Sequence, residues 1–102
     1  LEATGLNGID RLMADNNVIA LIAPTTGPAF EITLGSGDQF AGSATTLPAV
    51  SGYPHLTVPA GMVNGLPVGL SFIGSAWSDA RILSLGYAFE QLDQWRTPPR
   101  AP

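Results

Sequence analysis

Cysteine and lysine are absent from the 102 residues, and histidine occurs once, at His55. Without thiols there are no disulfides and no thiolate metal sites; the compartment, cytoplasm or periplasm, stays open. Without lysine there is no lysine nucleophile or base. Positive charge is scarce altogether. Four scattered arginines (Arg11, Arg81, Arg96 and Arg100) face eight carboxylates, for a net charge of −4. No basic stripe exists to neutralise phosphates, so nucleic acid is not an expected partner. No apolar stretch is long and uninterrupted enough to span a bilayer, and the N-terminus has no signal-like pattern. One histidine and dispersed carboxylates give neither metal-ligand spacing nor a carboxylate pair for acid/base work. No metal and no cofactor are expected.

Charged residues of both signs make up 12% of the chain, about half the share usual in soluble proteins. The hydrophobic share is ordinary at 45%, so the deficit falls on surface solvation. A chain this short is one domain at most, with a modest core that buries about 60–70% of its unfolded surface. The expectation is a partial domain over residues 1–102, part of whose surface is covered by more chain or by a second copy. A neutral surface of Gly, Ser, Thr and Asn is the plainer alternative. The chain starts at Leu1 rather than methionine, which suggests that something upstream was removed: a signal, a tag or most of a protein.

Residues 7–16 fit a short helix capped by Asn7, with Ile9, Leu12 and Met13 on one face and Asn16-Asn17 as the stop. Val18 to Ala23 is apolar at every position, the pattern of a strand buried on both faces, and Pro24 closes it. From about 25 to 44 no period is visible, and an irregular loop of that length is often functional. Thr45 then begins a short helix that ends at Gly52.

Tyr53 to Gly74 reads as a β-hairpin around Asn64-Gly65. A two-residue turn places Met62 opposite Pro67. Counting on, Pro59 faces Leu70 at a hydrogen-bonded site where its missing donor breaks the ladder. The first strand is therefore expected to divide, with Leu56–Val58 in the sheet and Pro59–Gly61 leaving it. Val68, Leu70 and Phe72 line one face; Gly69 and Ser71 open the other to close approach. A final helix over about 79–93, with Ser78 as N-cap, carries a stripe of Ile82, Leu85, Gly86, Phe89 and Leu92 widened by Leu83, Tyr87 and Ala88, which suggests contact on more than one side. Residues 97–102 are a proline-rich tail.

Reacting groups are few. His55 alone suits proton shuttling near neutrality. Ser71, His55 and Asp38 supply the residue types of a serine triad, but no Gly-x-Ser-x-Gly elbow accompanies them, and a strand-end histidine satisfied by backbone is the plainer reading. Gly35-Ser36-Gly37 looks like half a phosphate loop without the preceding strand and following helix, and reads as a turn.

Several motifs in order carry a resemblance: Val18–Phe30 with its Ala-Pro-Thr, Gly52-Tyr53-Pro54, Val58-Pro59-Ala60-Gly61, Gly65-Leu66-Pro67-Val68-Gly69, and Tyr87 with Glu90-Gln91. Together they resemble the carboxy-terminal end of amidase-signature enzymes, and Thr-Gly-Pro-Ala with the Pro-Pro-Arg ending resembles the peptide-amidase branch. The resemblance implies an α/β fold, a fragment of a large mixed sheet with flanking helices. It implies a parent that hydrolyses linear amides through a Ser, a second Ser in a cis peptide and a Lys. Those residues belong to a Gly/Ser-rich signature that this chain lacks, so no catalytic residue is carried over and the isolated chain is expected to be inactive. Thr25 and Thr26, just past a strand end, are candidates for substrate-pocket wall; plain strand termination is the alternative. The implied partners are the remainder of the amidase domain and a small amide or peptide-amide substrate. An isolated copy is expected to form a homo-oligomer or swapped dimer. A non-catalytic association or ligand-holding domain on the same fold, and an independent serine hydrolase built on His55, are the competing readings.

Overall fold

The computed structural model describes residues 4–27, 34–35, 43–92, 94, 96 and 98. Most of the expected loop over 25–44, including Asp38, Ser36 and Gly37, lies outside the described residues, as does most of the proline-rich tail.

The chain opens with a π-helical turn, Gly5–Ile9, that runs into α1, Asp10–Asp15. The expected cap is not there: Asn7 lies inside the π turn, and neither segment has a side-chain cap. Ile9 and Met13 are buried as the spacing implied, but Leu12 is exposed. Asn17 ends the segment with φ +52°, in the left-handed region that asparagine tolerates.

β1 is only Leu21–Pro24, with an alternating burial pattern. Two-face burial of Val18–Ala23 is not met within this chain: Val18 and Ile19 are exposed, and Ile22 is 63% exposed. The reason is position. The sheet order is β1-β3-β2, so β1 is an edge strand with half its surroundings missing. α2 spans Thr46–Ser51 and ends at Gly52 with φ +78°. Thr45 precedes α2 without a side-chain cap; its hydroxyl is shared with Ser43 instead, at 2.7 Å.

β2 (His55–Val63) and β3 (Leu66–Ile73) form the hairpin, and β3 is the central strand, antiparallel to both neighbours. Asn64 and Gly65 both have positive φ, 52° and 78°, as a type I′ turn requires, and Met62 does pair with Pro67. The first strand, however, does not divide. A bulge between Pro59 and Gly61 takes up Ala60 as an extra residue, and Pro59 faces Gly69 rather than Leu70. That one-residue shift rescues the proline. Gly69 gives its carbonyl to the Thr25 N–H at 3.1 Å, on the β1 side, so the Pro59–Gly69 pair needs no ladder bond. Pro24 is excused in the same way: it pairs with Leu70, next to the bonded Thr25–Gly69 position, and its nitrogen faces the open edge.

α3, Asp79–Leu92, lies across β2 and β3. Ser78 precedes it; its hydroxyl donates to the Ser75 carbonyl at 2.7 Å, and its carbonyl accepts from Ile82 N–H at 3.0 Å. Ile82, Val58 and Phe72 form one core cluster, with Leu56, Leu70, Leu85 and Phe89 against it. The rings of Phe72 and Phe89 meet edge-on at 6.0 Å. Gly86 allows the close approach, since a Cβ there would overlap Leu56 Cδ2. The rest of the wide stripe is uncovered: Leu83 and Tyr87 are exposed, and Leu92 is 79% exposed. On the other face Ile9, Met13 and Ile73 form a second cluster with Leu21, Ala44 and Tyr53.

Candidate functional site

Two features lie where β1 ends. The first is polar. Strand alternation puts His55, Thr57, Ser71 and Thr25 on one face of the sheet: Thr57 and Ala23 flank Ser71 across the two ladders, and His55 and Thr25 follow two residues away on each neighbour. Their side chains join. His55 Nε2 lies 2.6 Å from Ser71 Oγ, Ser71 Oγ lies 2.8 Å from Thr25 Oγ1, and Thr25 Oγ1 donates to Thr57 Oγ1 at 3.4 Å. Ser71 has no exposed surface, and among the described residues no buried side-chain polar atom lacks a partner. Gly69 completes the packing, because an added Cβ would stand 2.7 Å from Thr57 Cγ2 and 3.1 Å from Thr25 Oγ1.

The second feature is a groove of about 630 Å³ at the bulged end of the sheet. Its walls are Ala23 and Pro24 of β1, Thr26 and Gly27 beyond it, Ser43 and Ala44, and Ala60, Val63 and Val68–Leu70 of the hairpin. Thr26 and Ser43 form an isolated antiparallel bridge, and Ala44 N–H donates to the Thr25 carbonyl at 2.8 Å. The described walls carry no charge. Their polar side chains are the Thr26 and Ser43 hydroxyls, and Thr26 Oγ1 donates to the Gly27 carbonyl at 3.0 Å.

The two threonines singled out from the sequence thus part ways. Thr26 stands on the groove wall. Thr25 is half-buried, and its hydroxyl turns into the polar network. The His55–Ser71 pairing is present in the sequence as two members of a possible triad; Asp38 lies outside the described residues. The partnership of Ser71 with Thr25 and Thr57 escapes a reading of the sequence. Its signal is the period-two placement of His55 and Thr57 on the face that Ser71 shares, with Thr57 directly opposite it, legible once the register is known. Ser71 has no exposed surface from which to reach a carbonyl, and its oxygen is held between two polar partners. The network ties the three strands together through side-chain hydroxyls and one imidazole. Of the half phosphate loop, only Gly35 is described, in a turn with φ +95°. Among the described residues no group of three or more His, Asp or Glu could hold a metal, and no helix is long and apolar enough to cross a membrane.

One further polar contact ties α1 to the residues leading into β2. Tyr53 O–H donates to Asp10 Oδ2 at 2.6 Å. That hydrogen bond, aided by desolvation and the carboxylate's charge, holds the Tyr53 phenol above its usual range. Gly5 packs on the same ring, since a Cβ there would lie 2.9 Å from the phenol oxygen.

No family model matches the chain. Against curated proteins it is similar to a component of the glutamyl-tRNA(Gln) amidotransferase of Pseudomonas entomophila, 36% identical over 98 residues, a match covering 91% of this chain and 20% of that protein. Among solved structures it is similar to the peptide amidase PAM in complex with the competitive inhibitor chymostatin. That match has 46% identity and a TM-score of 0.91, over 98% of this chain and 20% of the other. A bacterial aryl acylamidase belonging to the amidase-signature enzymes aligns at 29% identity with a TM-score of 0.64, over 85% of this chain and 21% of the other. The chain spans about a fifth of the length of each of these proteins, and the portions it matches in the solved structures are carboxy-terminal.

Proposed function

From its place in the amidase-signature family, as a carboxy-terminal segment, we propose that this chain is the non-catalytic end of an enzyme that hydrolyses linear amides. The observation that carries the reading is the match to the peptide amidase, at 46% identity across 98% of the chain. The absence of any lysine supports placing the Ser, cis-Ser and Lys of the family's mechanism outside these residues. The attack on the amide carbonyl is then made by a seryl oxygen that this chain does not supply. Primary amides or the C-terminal amides of peptides are the proposed substrates. An uncharged groove bordered by the Thr26 and Ser43 hydroxyls suits a neutral amide, and in this reading Thr26 forms pocket wall while Thr25 anchors it.

The remainder of the amidase domain is the partner that would cover Ile22 on the edge strand and Leu83, Tyr87 and Leu92 on α3. Without it, the chain is expected to pair with a second copy or exchange a strand. A non-catalytic ligand-holding module is the second reading, favoured by the groove itself.

The experiment uses the purified chain. With a peptide amide as substrate it should release no ammonia, and a fluorophosphonate probe should label no serine. Labelling of Ser71 with turnover would replace the proposal with an independent serine hydrolase. Sedimentation of the same sample should give a mass that rises with concentration; a monomer at every concentration would remove the self-association part of the reading.

A further inference from the structure

We propose that His55 is a positioning residue for the groove wall, acting through Ser71 and Thr25 on the segment Thr25–Gly27. Proton counting gives the network a direction. Each hydroxyl has one proton to give. The longest contact, 3.4 Å, has Thr25 Oγ1 as donor to Thr57 Oγ1, and the proposed polarity follows from it. The 2.8 Å contact between Thr25 and Ser71 is then made with the Ser71 proton. Ser71 has none left for the imidazole, so the 2.6 Å contact with His55 is made by a proton on Nε2. In the proposed polarity the protons point from His55 Nε2–H to Ser71, to Thr25, to Thr57. In that polarity His55 is the donor that starts the relay, and it takes no proton from Ser71.

The end of the relay is mechanically useful. Thr25 is held at three points: its N–H by the Gly69 carbonyl, its carbonyl by Ala44 N–H, and its hydroxyl by Ser71. The next two residues, Thr26 and Gly27, are groove wall. Removing the imidazole donor leaves the buried Ser71 oxygen with one partner fewer, and the cooperative strengthening of its bond to Thr25, which anchors the wall, is lost. The proposal rests on the pocket-wall reading for its purpose only. Its measurements need no substrate, so a failed coupling and a failed amidase assignment remain distinguishable.

The test is amide hydrogen exchange of the 102-residue chain, with nitrogen NMR of the His55 ring. In the unmodified protein the neutral ring should carry its proton on Nε2; a proton on Nδ1 would reverse the polarity and overturn the proposal. His55→Leu should speed exchange at the amides of Thr25 and Ala44 by about tenfold, while Phe72 and Ile82 stay protected. His55→Gln, which keeps an N–H donor, should restore most of that protection. Thr25→Val serves where the histidine variants fail to fold: it cuts the same link from the wall side and should loosen Ala44 alike. Unchanged exchange at Ala44 in every folded variant, or no difference between Leu and Gln, would overturn it.

Discussion

The two faces of the hairpin are held by different physics. On the α3 side, Val58, Phe72 and Ile82 meet as an apolar cluster with no polar atom to satisfy. On the opposite side, Ser71 sits among His55, Thr25 and Thr57, and beside them Tyr53 reaches Asp10. The first face is stabilised by area and volume, which tolerate no vacancy. The second adds to its Ile9–Met13–Ile73 cluster a set of matched polar partners, where each group is worth little alone and costs most when orphaned. Thr25, which precedes the groove-wall residues Thr26 and Gly27, is anchored on the second face, where hydrogen bonds fix direction as well as distance.

Breaking the apolar side should have the largest effect. Ile82 is 2% exposed, and Ile82→Ala should lower unfolding stability by about 3 kcal/mol, because the cavity adds to the lost transfer energy. Urea unfolding reads this directly; a loss below about 1 kcal/mol would mean that α3 is not seated on the sheet. On the polar side, Gly69→Val is the sharper probe. Its Cβ already meets Thr57 and Thr25, and two more methyls make overpacking outweigh the glycine's entropy cost, for a net loss of about 2 kcal/mol. Pairing it with Thr57→Ala should recover part of that loss, whereas additivity of the two would show that Gly69 and Thr57 do not touch.

The smallest effect is pH-dependent. The Tyr53 phenol is held above its ordinary value of about 10 by Asp10. A raised folded-state value stabilises the protein while the phenol is protonated. The contribution is therefore full below about 10 and fades as pH climbs through the folded value. Against Tyr53→Phe, the unmodified chain should lose stability faster with rising pH in that window; parallel pH curves would break the link between Tyr53 and Asp10.

Much of the fold is legible from local chemistry. Asn64-Gly65, Asn17 and Gly52 announce left-handed backbone, because only a few side chains tolerate it. Ile82, Leu85, Gly86 and Phe89 share the helical face that meets the sheet. The ordered run of motifs from Val18 to Gln91 points to the amidase-signature family, and the fold agrees. Other features are not legible. Val18–Ala23 reads as strand buried on both faces, yet the strand begins at Leu21 and lies at an edge. Pro59 is expected to leave the sheet, yet Ala60 bulges instead and the proline stays.

Left-handed turns and helical stripes depend on a handful of neighbouring residues, so the sequence by itself determined them. The placement of the bulge, the edge position of β1 and the His55–Ser71–Thr25 relay depend on three strands whose residues lie 16 to 46 positions apart. Only the tertiary structure decided those, because register is a shared property of paired strands and a one-residue shift redirects every hydrogen bond beyond it.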